Sequence, residues 1–140
     1  MLQLGRERKS HLLRYVIAWI PMLLIAIANG AFRQLTFGKV MPELRAHQLS
    51  TVIGSFLIGL FIWAVVRLWP PASARQALSI GLAWLALTVA FEFVFGRFVM
   101  HRPWSQLLND YNVIEGRMWV VFLIWLFLAP YVFFHLHRAK

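Results

Sequence analysis

A chain of 140 residues, 61% of them hydrophobic and only 14% charged, has too few polar side chains to cover a water-facing surface. Its net charge of +9 rests on 14 Lys and Arg against 5 acids; in so apolar a chain those cations point to anionic lipid rather than to nucleic acid. The absence of cysteine excludes disulfides, thiolate catalysis and Cys-ligated metals.

The first helix is expected over about 11–33. Arg6, Arg8, Lys9 and Arg14 precede a run from Tyr15 to Phe32 that holds no Asp, Glu, Lys or Arg. A secretory signal has a similar opening, and Ala26-Ile27-Ala28 resembles a cleavage site, but the apolar run continues past that triplet and reads as a retained helix. Pro21 should bend it. Asn29 and Arg33 stand one turn apart on one face near its end.

A loop over about 34–45 contains Gly38 and Pro42 and leads to a second helix over about 46–69. Glu43, Arg45, His47, Gln48 and Thr51 stand at its opening. Glu43, His47 and Thr51 follow the spacing of one helical face, which is expected to run inward as the small residues Ser55 and Gly59. Trp69-Pro70-Pro71-Ala72-Ser73 stops this helix, and Ser73 is placed to cap a third, over about 73–100.

Glu92 interrupts the third apolar run about six residues past its middle, or about 9 Å at the helical rise. A carboxylate at such depth faces a helix interior or a wet cavity and finds a partner. Arg97 lies about 140° away on the same helix, so Arg33, Arg45 or Arg117 from other helices are the better candidates. Thr88 extends the polar stripe by one turn. A polar loop from His101 to Ile114 holds Trp104 and the string Asn109-Asp110-Tyr111-Asn112. Glu115 and Arg117 then open a fourth helix over about 114–137.

Each of the four apolar runs is close to the roughly 20 residues that cross a bilayer core. The expected fold is all-α: a single transmembrane domain spanning residues 1–140, built as a polytopic four-helix bundle. The N-terminal segment, the loop holding Arg67 and Arg75, and the C-terminus carry eight Lys and Arg, against six on the other two loops; this favours cytoplasmic termini. Of the five acids only Glu7 falls on that side. Opposite charges therefore gather at the non-cytoplasmic end. Asn29…Arg33 followed by Glu43-Leu44-Arg45 is echoed by Glu92…Arg97 followed by Glu115-Gly116-Arg117, which is compatible with two parallel helical-hairpin repeats.

Five histidines allow a haem on His47 and His101, or a metal on Glu43, His47, Glu92 and His101, but no HExxH or comparable motif occurs and no cofactor is expected. Ala28-Asn29-Gly30-Ala31 with Arg33, Glu43-Leu44-Arg45-Ala46-His47-Gln48, Phe91-Glu92-Phe93 with Phe95-Gly96, Asp110-Tyr111-Asn112 and Gly116-Arg117-Met118-Trp119 together resemble a family of small four-helix bacterial inner-membrane proteins. The resemblance spans residues 28–119. It implies a bacterial inner membrane and brings no activity with it.

The reading that follows is a pocket at the non-cytoplasmic end that binds or transports a polar or anionic small molecule, a lipid head group or an ion. Asn29, Arg33, Glu43, Arg45, His47, Glu92, Arg97, Asp110, Asn112, Glu115 and Arg117 are its candidate ligand-binding residues. The lipid bilayer is the expected partner, with a homo-oligomer or a larger membrane complex around it. Two other classes stand beside it. The cluster could be the docking surface of an accessory subunit, or an intramembrane enzyme could use Glu92 or His47 as general base on a lipid or isoprenoid.

Overall fold

The computed structural model describes residues 2–109, 111–112 and 118–138, with side chains described within 13–137. Helix α1 covers Leu2–Leu35, α2 Glu43–Leu68, α3 Ala74–Val94, α4 Trp104–Asn109 and α5 Trp119–Arg138. A short 3-10 turn, Phe37–Lys39, lies between α1 and α2, and a π-helical turn, Phe95–Val99, prolongs α3. No strand occurs among the described residues. Four stretches are long and apolar enough to cross a membrane: Leu13–Leu35, Glu43–Leu68, Ala74–Val99 and Trp119–His137.

Local chemistry accounts for the boundaries. Ser73 caps α3 by accepting from the Gln76 backbone N–H at 3.1 Å, and the Gln76 side chain accepts from the Ala72 N–H at 2.5 Å. The exchange is close to a capping box: it satisfies one N–H that the first helical turn leaves open, that of Gln76, and one just before the cap, that of Ala72. Ser73→Ala should lower stability by about 1 kcal/mol, read as the midpoint shift of unfolding in detergent.

The four long helices pack in the cyclic order α1, α2, α5, α3. Their directions follow from pairs of contacts. Tyr15 meets Trp69 while Asn29 meets Ser50, so α2 runs against α1. Tyr15 meets Trp84 while Trp19 meets Thr88, so α3 runs along α1. Gly81 meets Phe127 while Glu92 meets Trp119, so α5 runs against α3.

One end of this arrangement is tied shut. Trp84, fully buried, donates its indole N–H to the Tyr15 carbonyl at 2.7 Å, and the Tyr15 hydroxyl donates to the Trp69 carbonyl. Each buried polar group is thereby satisfied, which a low-dielectric interior requires. Arg14 lies over the Trp69 ring at 5.8 Å. The apolar core extends from this knot through Met22, Ile58, Ile62, Ile80 and Leu126.

The connection after α3 differs from an open loop. Gly96, inside the π turn, lets Leu107 of α4 close over it: a Cβ there would stand 2.7 Å from a Leu107 methyl. The Gly96 carbonyl accepts from the Arg102 N–H at 2.8 Å, and His101 takes a left-handed φ of 55° to bring the chain round. Phe93 stacks on Trp104 at 6.0 Å and on Tyr111 at 5.8 Å. Trp104 and Tyr111 are thus folded back onto the end of α3.

Candidate functional site

Away from the knot, α1, α2, α3 and α5 enclose a cavity of about 570 Å³. That lies within the range of small-molecule pockets, about 300–1,000 Å³. Among the eleven expected site residues, Asn29, Arg33, Glu43, His47 and Glu92 line it. Helix α2 contributes Glu43, His47 and Thr51 from one face, as their spacing requires. Farther in, the cavity-facing residues are Gly54 and Ile58, not Ser55 and Gly59. The reason is geometric: four residues overshoot a 3.6-residue turn, so an i+4 row drifts around the helix. Ser55 and Gly59 meet Trp125 of α5 instead, whose indole donates to the Ser55 carbonyl at 3.0 Å.

Ser50 organises the polar wall. The Asn29 amide donates to its carbonyl at 2.8 Å and to its hydroxyl at 3.1 Å, and Arg33 Nη1 donates to the same hydroxyl at 3.2 Å. Helix α1 can approach so closely because α2 carries Gly54 there; a Cβ would stand 2.8 Å from Asn29 Nδ2. Arg33 is half-buried, and among the described residues no ion pair joins it to a carboxylate. It uses one N–H on a neutral hydroxyl and keeps further donors of its guanidinium fork.

Of the expected Arg partners of Glu92, Arg33 turns to Ser50, Arg45 is exposed, and Arg117 lies outside the described residues. Glu92 Oε2 accepts from the Tyr111 hydroxyl at 2.6 Å and from the Trp119 indole at 2.7 Å. Arg33 is committed to Ser50 rather than to Glu92, because Asn29 and Arg33 share the face that α2 covers. Thr88, one turn before Glu92, accepts from Trp19 at 3.0 Å and donates to the Trp84 carbonyl at 2.7 Å. Each hairpin is therefore tied internally at its polar residue, Asn29 to Ser50 and Glu92 to Trp119.

The remaining candidates lie elsewhere. Arg45 is exposed and does not line the cavity. Arg97 sits over the Trp104 ring at 5.7 Å, the rotation that its position five residues after Glu92 dictates. Asn112 is half-buried outside the cavity wall. Asp110, Glu115 and Arg117 lie outside the described residues. His47 is 3.9 Å from Glu43, one turn away, while His101 is exposed and off the cavity wall. No cluster of three or more His, Asp or Glu suited to a metal occurs among the described residues.

No family model, curated protein or solved structure matches the chain. The functional reading therefore stands on the site. Ser50, Tyr111, Trp119 and Arg102 also belong to the site or its support, and reasoning from sequence did not select them. A serine amid apolar residues looks like packing, and indoles near helix ends look like interfacial anchors. Only the contacts give them a partner.

Proposed function

We propose that the chain is a multi-pass protein of the bacterial inner membrane whose cavity, at the non-cytoplasmic end, holds an anionic group on Arg33. The carrying observation is the half-buried Arg33 on the cavity wall, hydrogen-bonded among the described residues to the neutral Ser50 hydroxyl, with the exposed Glu43 carboxylate near enough for its charge to act on it but not in an ion pair. A cation between apolar helices is costly unless an anion or a wet cavity compensates it. An anion in the cavity would take the remaining N–H donors of the fork. Asn29 acts as a positioning residue, since both its bonds hold Ser50 in place beneath the guanidinium.

The membrane assignment draws support from the outer faces. Leu13, Ile17, Ile20 and Leu24 of α1 are 52–61% exposed, and Phe56, Leu82 and Ile124 bring similar apolar surface from the other three long helices. Soluble monomers rarely leave such contiguous apolar surface open. The resemblance to small bacterial inner-membrane proteins and the Lys and Arg balance support the compartment and the orientation.

The test is an anion panel running from inorganic phosphate to alkyl phosphates, titrated onto the full chain in phosphatidylcholine nanodiscs while unfolding is monitored. At least one anion should stabilise the wild type, with affinity falling about tenfold or more in Arg33→Met and less in Arg33→Lys. If no anion distinguishes wild type from Arg33→Met, the site is not an anion site.

A further inference from the structure

The cavity is elongated and graded. It is lined from Trp19 to Gln34 along α1 and from Glu43 to Ile58 along α2, a span of about 22 Å on each helix at 1.5 Å per residue. Arg33, Gln34, Glu43 and His47 are at one end, while Glu92 and Thr88 of α3 line the wall farther in, Glu92 with its Oε2 taken up by Tyr111 and Trp119. Met22, Ile58 and Leu126 close the other end. A free inorganic anion would use only the first of these ends.

The cavity is also open on one side. Every hydrogen bond and ring contact between α1 and α3 among the described residues lies at Trp19 or nearer the N-terminus of α1: Tyr15 with Trp84, and Trp19 with Thr88 and Phe91. Beyond Trp19 the α1 wall continues through Ala26, Ile27 and Gly30 without such a tie. Ile27 and Phe95 line the cavity yet are 53% and 39% exposed, so the wall between α1 and α3 opens toward the apolar exterior. Gly30 keeps the passage clear near the polar end, since a Cβ there would meet only Arg33 Nη2, at 3.7 Å.

We propose that the occupant is a single-chain amphipathic anion that enters sideways between α1 and α3. Its head lies on Arg33 and its hydrocarbon chain runs down the slot toward Met22 and Leu126. This deepens the anion-site reading and rests on it. A lipid lying in the adjacent leaflet already has that disposition, head at the interface and chain toward the midplane. Entry through the side needs no passage of the head across the apolar end. A carboxylate or phosphate head meets the same fork; the chain is what separates a lipid from a free anion.

The experiment uses dodecyl phosphate with a photoreactive diazirine on its terminal carbon, in phosphatidylcholine nanodiscs holding the full chain. Labelled positions are mapped by mass spectrometry. The label should fall on Met22, Leu23 or Leu126. Excess dodecyl phosphate should displace it; dodecanol at the same mole fraction and inorganic phosphate should not. Arg33→Met should reduce the displaceable label by about fivefold or more. Ala26→Phe, which fills the slot from an exposed position, should reduce it similarly while leaving Arg33-dependent binding of inorganic or short-chain phosphate in place. Label on the outward residues Ile17, Ile20 and Leu24, displaced equally by dodecanol, would overturn the chain in the slot. The anion site would survive that result if a short-chain or inorganic phosphate still separates wild type from Arg33→Met. Both readings fall if no anion does.

Discussion

Gly81→Val should destabilise the protein by about 3 kcal/mol, the largest effect expected of any single glycine here. A Cβ on Gly81 would collide with the Phe127 carbonyl oxygen and stand 2.9 Å from its carbon, so the obstacle is backbone rather than a side chain that can turn away. Helices α3 and α5 form the most extensive pair in the fold, and Trp84, Leu123 and Leu126 pack along their seam. Separating them to admit a branched side chain would loosen all of those contacts together. Gly30→Ala is the control. Its Cβ would make only an ordinary van der Waals contact, with Arg33 Nη2 at 3.7 Å, and removing a helical glycine should stabilise by about 0.5–1 kcal/mol. Unfolding in mixed micelles measures both. Equal midpoints for Gly81→Val and wild type would show that the two backbones are not in contact.

Glu92→Leu should cost about 3 kcal/mol and release the segment after α3. One carboxylate oxygen serves two donors, Tyr111 and Trp119, and removing it leaves a hydroxyl and an indole N–H without that acceptor. The same Tyr111 stacks on Phe93, which also stacks on Trp104, so losing one bond weakens an aromatic sandwich as well. Glu92→Gln keeps an acceptor oxygen and should lose roughly half as much. Amide exchange across residues 101–112 and proteolysis within that segment should accelerate in the leucine variant and change little in the glutamine one. If exchange there is unchanged in Glu92→Leu, the carboxylate does not anchor the segment. Glu92 is then a residue of the cavity alone, and its effect should appear in anion binding.

These two outcomes bear on what the polar end is for. Glu92 Oε2 accepts from two neutral donors, Tyr111 and Trp119, whereas Arg33 donates to a neutral hydroxyl and keeps donors in reserve. Two charges that look equivalent in the sequence thus have different partners: Glu92 meets Tyr111 and Trp119, and Arg33 rests on Ser50.

Much of the fold was legible before any coordinates. Four apolar runs of membrane-spanning length, the Trp69–Ser73 stop and the Ser73 cap are local properties, set by composition and by the backbone groups a helix end leaves open. The one-turn spacing of Asn29 and Arg33, and of Glu43, His47 and Thr51, put each set on one face by helix geometry alone. The limits are equally physical. A helical face can be read from spacing, but the neighbour it turns toward depends on how every helix rotates to bury its own best surface. Ser55 and Gly59 therefore went to Trp125 while Gly54 and Ile58 took the cavity. The π turn and α4 escaped notice because they depend on Leu107 finding Gly96, a contact with no periodic signal.

The charged end that composition and spacing singled out is the feature the sequence determined by itself, because charge among apolar runs is visible one residue at a time. Tertiary structure alone decided its pairings. That Glu92 meets Tyr111 and Trp119, and Arg33 meets Ser50, is settled by helix rotation and close approach at Gly54 and Gly81, which act across the chain rather than along it. The same packing, loose between α1 and α3 beyond Trp19, turned a charged end into a slot open at its side.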